Sequence, residues 1–270
     1  MTTHNDVRVY FQSHGFQGCD KRWLVNGDHY ATASDTAPTT NWYKLPNMTV
    51  VVEHPDGTLL FDASNPRDWR ERWRGTGIDE NFPYEDVADD QYFDESLGRL
   101  GIATEDLSAL ILSHLHYDHA GNLNLLADAG VRSIVQKAEL DGAMAINGAY
   151  EGAFIKADYE NAPMDTIEGD VEILPGVTLL SLPGHTWGTM GLLVEFANDR
   201  PLLYTGDAVY MAESYGPPAV GSPIAWSSLD WLESVEKVRA IAERTNARVV
   251  FGHDYNMVTE DLLLAPKYYS

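Results

Sequence analysis

Cysteine is almost absent from this chain: Cys19 is the only one. An intramolecular disulfide is therefore excluded, and with it a fold stapled by cross-links. Basic side chains are scarce, six lysines and twelve arginines against 41 aspartates and glutamates. That balance disfavours polyanionic partners, so neither nucleic acid nor an anionic membrane is expected to bind. No apolar run approaches the roughly 18 residues that cross a bilayer. The opening stretch MTTHNDVRVYFQSHGF has neither a basic n-region nor an apolar h-region, which argues against a cleaved secretory signal. A soluble, cytoplasmic protein is the expectation.

What is present supports a substantial core, since 44% of the 270 residues are hydrophobic. Length alone allows one or two domains of about 150 residues, but no low-complexity linker or charge block marks a boundary. One domain spanning 1–270 is expected, as a monomer or homodimer. The formal net charge of −23 is the unusual feature. Like charges at this density repel unless counterions screen them, over about 3 Å at 1 M salt. An acidic, lysine-poor composition of this kind resembles that of proteins from halophilic microbes and points to a salty cytoplasm.

The order of elements follows from apolar patterning. NMTVVVEHPDGTLLFDAS (47–64) reads as a hairpin turning at Pro55-Asp56-Gly57. Residues 65–98 lack clean periodicity and read as short helices among surface loops. A buried strand is expected over 108–112, then a helix after His119 with Leu123, Leu125 and Leu126 inward. RSIVQKAELDGAMA reads as a strand entering a helix. DVEILPGVTLLSLPGHTWGTMGLLVEF, RPLLYTGDAVY and ARVVFGHDY supply further strands, and Trp231, Leu232, Val235, Val238, Ile241 and Ala242 mark an amphipathic helix over 229–245. That order suits two sheets packed face to face with helices outside.

Nine histidines occur, and five share one kind of position. His114, His116 and His119 in SHLHYDHAG, His185 in LPGHTWG and His253 in VVFGHDY each sit just past an apolar strand. Asp207 in LLYTGDAVY occupies the same kind of place. His114 and His116 are two apart, so on an extended segment both point to one side and can grip one ion. Asp118 and His119 lie on the turn beyond and can swing toward a second. Imidazole and carboxylate donors favour zinc and also accept manganese, iron or cobalt. His4, His14, His29 and His54 are expected to be structural.

HLHYDH, PGHTWG, TGDAVY and FGHD, in this order, resemble the metallo-β-lactamase superfamily over about residues 47–255, with Phe61-Asp62-Ala63-Ser64 similar to its early DTG segment. The resemblance implies an αββα sandwich, two packed mixed β-sheets with helices on the outer faces, and a dinuclear site between them. It implies that His114, His116 and His185 hold one divalent ion, that Asp118, His119 and His253 hold another, and that Asp207 bridges them. Asp62 would orient a ligand. The pattern Asp207-Ala208-Val209-Tyr210 resembles the N-acyl homoserine lactone lactonases, as do IVQKAEL and GDVEILPGVTLL. Two departures stand out: DAS replaces DTG, and HAGN has one glycine where many lactonases have two. The branch implies hydrolysis of a small neutral lactone, opened by a hydroxide shared between two metals. Tyr210, with one metal, would stabilise the oxyanion, and Asp118 or a water it positions would return a proton to the leaving oxygen. Trp69, Trp73, Phe82, Tyr84, Tyr92, Phe93, Tyr210, Met211, Tyr215 and Trp226 are candidate walls for an acyl groove; the same residues suit a core or a dimer surface, and individually core is the expectation.

Other readings share these motifs. A hydrolase of another lactone, such as a pyridoxolactone, or of an ester or thioester would carry them all. A metallo-nuclease would want a basic groove that the scattered basic residues do not form, and a structural zinc site would be closed and four-coordinate.

The charge makes the first prediction. Raising salt from about 0.1 M to several molar should increase both melting temperature and turnover. Values unchanged across that range would remove the halophilic reading.

Overall fold

The computed structural model describes residues 6–27, 30–146 and 151–270. Among these residues, seven strands build a first sheet: β1 (Arg8–Asp20), β2 (Trp42–His54), β3 (Gly57–Phe61), β4 (Tyr84–Asp86), β5 (Leu107–Ile111), β6 (Ser133–Gln136) and β7 (Met164–Ile167). Their spatial order is β4-β1-β2-β3-β5-β6-β7. Pairing is antiparallel from β4 to β3 and parallel from β3 to β7. The second sheet holds β8 (Val171–Leu174), β9 (Val177–Ser181), β10 (Met190–Val194), β11 (Leu202–Tyr204) and β12 (Arg248–Val250). Its order is β12-β11-β10-β9-β8, with β11 and β12 parallel.

Strand alternation divides the apolar residues between two faces. Val50, Val52, Leu59, Phe61, Ala109 and Ile111 point at the second sheet and meet Val177, Leu179, Leu192, Leu202 and Tyr204 there. Val51, Leu60 and Leu110 point the other way. They are covered by Phe93 and Leu97 of the helix Phe93–Arg99, Leu123 and Leu126 of Leu123–Asp128, and Ala143 of Lys137–Ala145. On the far side, Leu180, Leu193 and Leu203 pack under Val238 and Ile241 of the helix Ser228–Thr245. The result is the αββα sandwich that the motifs implied.

The long helix shows why its ends fall where they do. Ser227 caps it by accepting the Asp230 N–H at 3.3 Å, and Asn246 ends it in the left-handed conformation with φ 55°. Trp231, Val235, Val238 and Ile241 form its buried stripe, while Leu232 is exposed.

Three details differ from the sequence reading. β1 was not expected: its inner positions include buried Gln12, His14 and Gln17, which break the apolar alternation. β5 starts and ends one residue earlier than expected. Leu125 does not face inward; it is half exposed, whereas Leu123 and Leu126 are buried. In a helix, residues three apart share a face and the one between them leaves it. His4 and His29 lie outside the described residues.

That contrast is testable by denaturant unfolding. Leu126→Ala should cost about 2–5 kcal/mol, and Leu125→Ala should stay within about 0.5 kcal/mol. Equal costs would contradict the orientation of this helix.

Candidate metal centre and cavity

Five strand ends converge on one edge of the sandwich. Asp62 follows β3, and His114 to His119 follow β5. His185 lies in the β9–β10 turn, Asp207 follows β11 and His253 follows β12. The Met190 N–H bonds the Ser113 carbonyl at 2.9 Å, stitching the two sheets together at this edge. The His253 N–H bonds the Tyr210 carbonyl at 2.8 Å, joining the last two loops.

The seven expected ligands come together, all buried. His114, His116 and His185 each offer one donor atom to a group within 4.8 Å of one another; Asp118, His119 and His253 form a second such group. In the first, His185 Nε2 lies 3.1 Å from His114 Nε2 and 3.0 Å from His116 Nδ1. Asp207 stands between the groups. Its Oδ2 lies 3.4 Å from His185 Nε2 and 3.8 Å from His114 Nε2. Its Oδ1 lies 2.9 Å from His253 Nε2 and 3.3 Å from His119 Nε2. One carboxylate thus presents one oxygen to each histidine group.

The chemistry of these donors asks for positive charge. His253 Nδ1 donates to the Pro46 carbonyl at 2.7 Å, and His119 Nδ1 to Asp62 Oδ2 at 2.8 Å. In the neutral rings the two Nε2 atoms are therefore bare lone pairs, aimed at a carboxylate oxygen. His119 Nε2 and Asp207 Oδ1 are buried and make no aligned hydrogen bond. Such facing acceptors are unfavourable unless a proton or a cation lies between them. In the first group, three nitrogens bonded tetrahedrally to one zinc at about 2.0–2.1 Å would stand roughly 3.4 Å apart, close to the spacing seen. The donor set fits divalent ions.

Ionisation follows the same division. Burial drives His114 and His116 well below the ordinary imidazole range, and repulsion from neighbouring imidazoles adds to it. Burial brings His185 down to about 4. Burial also opposes charge on His119 and His253, but Asp207 and Asp118 outweigh it and raise both. Asp207 is pushed up by burial, yet His253 and His119 hold it well below the usual carboxylate range. One lobe keeps neutral donors; the other draws in positive charge.

A model of the metallo-beta-lactamase superfamily matches residues 42–253. The chain belongs to the metallo-beta-lactamase superfamily. Among curated relatives it is 31% identical to the N-acyl homoserine lactonase AttM of Rhizobium johnstonii over 240 residues, 84% of this chain and 89% of that one. It is 32% identical to the AttM lactonase of Azorhizobium caulinodans over 228 residues, 78% and 83% of the two chains. Among solved structures, an N-acyl homoserine lactone hydrolase with N-hexanoyl-L-homoserine bound at its catalytic metal centre superposes with TM-score 0.83 at 25% identity, covering 99% of this chain and 100% of that one.

This superfamily member backs its donors with a polar layer. Asp62, in the left-handed conformation with φ 68°, accepts the Ser113 N–H at 2.7 Å and the Ser113 hydroxyl at 2.9 Å. The Ser113 oxygen in turn accepts from His114 Nδ1 at 2.9 Å. Both departures in the motifs have local partners. The Ser64 hydroxyl bonds Asn47, and Asn122 Nδ2 donates to the carbonyls of Ala63 and Asn65 at 2.7 and 2.9 Å. Tyr210 lies beside His185, its oxygen 2.9 Å from Nδ1. With Nε2 turned to the cluster, Nδ1 carries the proton and donates, so the phenol's own O–H is not spent on His185, and the Ser222 hydroxyl also bears on it. Burial, with Asp207 nearby, keeps that hydroxyl protonated.

A cavity of about 310 Å³ opens over the cluster, at the lower end of the range that holds small ligands. Of the expected walls, Phe82, Tyr210 and Trp226 line it. Trp69, Trp73, Tyr84 and Met211 are packed in a core cluster behind it, and Tyr92 packs against that cluster. Phe93 and Tyr215 sit in other clusters. The walls missed from the sequence are Trp23, Leu24, Leu45, Ile78, Phe154 and Trp187. Glu139 was also missed: it is fully buried, and burial pushes its carboxyl up to about 7.

His14 and His54 stand apart from the cluster. His54 Nε2 bonds the Pro175 carbonyl at 3.2 Å. His14 is held by Gln91 O and Thr49 Oγ1, each at 2.9 Å, and burial lowers it from 6.5 to about 4. Its unfolded form takes up a proton that the folded form resists. The stability it contributes is thus present above about pH 6.5 and lost as pH falls toward 4. Urea unfolding from pH 8 to 4.5 should show the advantage of wild type over His14→Gln shrinking below pH 6.5, at up to about 1.4 kcal/mol per pH unit. A pH-independent difference would contradict a neutral buried His14.

Proposed function

We propose that this protein hydrolyses the lactone ring of N-acyl homoserine lactones, using two divalent ions held by the buried cluster. In this reading His114, His116 and His185 hold one ion, Asp118, His119 and His253 the other, and Asp207 both. The position of Asp207, one oxygen toward each histidine group, carries it. The lactonases among the relatives support the choice of substrate.

Bound there, the ions would supply an activated water nucleophile and polarise the ester carbonyl. The chain's own residues do the rest. The Tyr210 O–H donates to the carbonyl oxygen as charge develops on it. The Asp118 carboxylate lines the same cavity, takes the proton that the attacking water gives up, and returns it to the ring oxygen as the acyl C–O bond breaks. Leu24, Ile78, Phe82, Phe154 and Trp187 exclude water and receive the apolar acyl tail. No lysine or arginine is among the described residues lining the cavity, which favours a neutral lactone over a phosphodiester.

The reading extends to zinc as the ion, on the mixed nitrogen and oxygen donors, and to quenching of acyl homoserine lactone signals as the role. It also includes one domain over 1–270, acting as a monomer or homodimer in a saline cytoplasm. No helix among the described residues is long and apolar enough to cross a membrane.

A panel of N-acyl homoserine lactones tests the reaction. Each turnover should release one acid and no amine, and acidifying the product should close the ring again. Chelation or His116→Ala should abolish turnover. Tyr210→Phe should lower kcat about 10²–10³-fold with metal content unchanged. Release of a free amine, or full turnover without metal, would overturn the proposal.

A further inference from the structure

Glu139 is a buried carboxyl group with no arginine or lysine paired to it among the described residues and no place among the donors. It sits in the first turn of the helix Lys137–Ala145, fully shielded from solvent. Its two oxygens go to two different loops. Oε1 accepts the Leu115 N–H at 3.0 Å, and Leu115 lies between His114 and His116. Oε2 accepts the Gly188 N–H at 3.0 Å, in the turn that carries His185. The Thr186 hydroxyl also bears on this carboxylate.

Two close approaches show that the turn is seated on this helix. A Cβ on Gly188 would lie 2.6 Å from Glu139 N and 2.7 Å from Glu139 Cβ. A Cβ on Gly142, one turn further along, would lie 2.2 Å from the Trp187 ring. Only hydrogen fits at either contact, so the backbone of the turn cannot be replaced there without moving away from the helix.

We propose that Glu139 is a positioning residue that fixes the spacing of His114 and His116 against His185 by holding both loops through its carboxylate. The proposal rests on the reading that these three histidines share one ion. The first pair comes from the first sheet and the third from the second. The Met190–Ser113 backbone bond ties the sheets just before His114, but it leaves the two loops that carry the histidines to be held separately. Glu139 spans that gap by accepting one backbone N–H from each loop, and ionisation, which a cation bound nearby would favour, strengthens both bonds. Outer partners of this kind, which orient ligands without touching the ion, typically carry 10–100-fold in metal affinity.

The test titrates metal-free protein with Co²⁺, reading visible absorption and competition with a chelator. Wild type should bind two ions per chain. Glu139→Gln fills the same space but sets an amide N–H₂ against one backbone N–H. It should melt cooperatively yet bind one of the two ions about 10–100-fold more weakly. Glu139→Asp, which keeps the charge but falls short by one methylene, should weaken the same site. A merely structural role would lower the melting temperature and leave both affinities alone. Wild-type affinities in folded Glu139→Gln would overturn the proposal. Wild type that binds no Co²⁺ would instead remove the metal reading beneath it. Should neither variant fold, metal-free wild type decides by amide exchange. Leu115 and Gly188 should exchange as slowly as β5, and rapid exchange at either ends the case.

Discussion

Asp207 meets a histidine group on each side, and the rest of the site can be understood as what that contact requires. A buried carboxylate needs partners, and here the partners are ring nitrogens whose protons are already committed elsewhere. His253 gives its proton to Pro46 and His119 gives its proton to Asp62. In the neutral rings, what faces Asp207 is lone-pair density on both sides. A fold that buries such an arrangement keeps it because something positive completes it.

The topology explains how distant residues reach one point. Parallel pairing aligns the carboxyl ends of neighbouring strands, and ligands gather at such ends in layered α/β folds. Each sheet uses one parallel pair this way: β3 with β5 in the first, β11 with β12 in the second. These deliver Asp62, His114 to His119, Asp207 and His253. His185 comes from an antiparallel turn instead, and its loop is the one that leans on the helix carrying Glu139. The element with the least help from strand order has the most help from a neighbouring side chain.

How far the sequence could be read follows from the same physics. Strands such as β3 and β5 announce themselves as short continuous apolar runs bounded by turn residues, the mark of a strand buried on both faces. The ligand motifs are legible because several donors lie close together on short segments. β1 was hidden because it buries Gln12, His14 and Gln17. Their partners lie far off in sequence: Gln12 donates to Ser96 O at 2.7 Å, His14 meets the Thr49 hydroxyl at 2.9 Å, and Gln17 donates to Phe82 O at 3.1 Å. Leu125 looked inward because three leucines in four positions do not reveal which one leaves the face. The cavity walls were mostly illegible. Trp23, Ile78, Phe154 and Trp187 come from four separate segments, two of them short helical turns, and nothing local separates a wall from a core aromatic. Glu139 had a faint signal, a lone acid just after an apolar strand, but only the fold shows which amides it meets.

Charge neutrality ties these features to the chemistry. Two divalent ions bring four positive charges into a site shielded from water, and the five imidazoles that would bind them bring none. Asp118 and Asp207 would supply two negative charges at the donors and Asp62 a third behind them. Glu139, pushed up to about 7 by burial, would supply a fourth once the ions favour its ionisation. Asp158 and Asp254, also buried, answer to Arg72 and to backbone amides elsewhere. Four carboxylates for two ions leave the loaded site close to neutral, the condition under which buried charge is tolerable. A neutral lactone enters such a site without disturbing that balance. The opened product carries a new carboxylate, one charge in excess, in a cavity walled by apolar rings and set in a chain of net charge −23. The same electrostatics that accept the substrate therefore work against retention of the product.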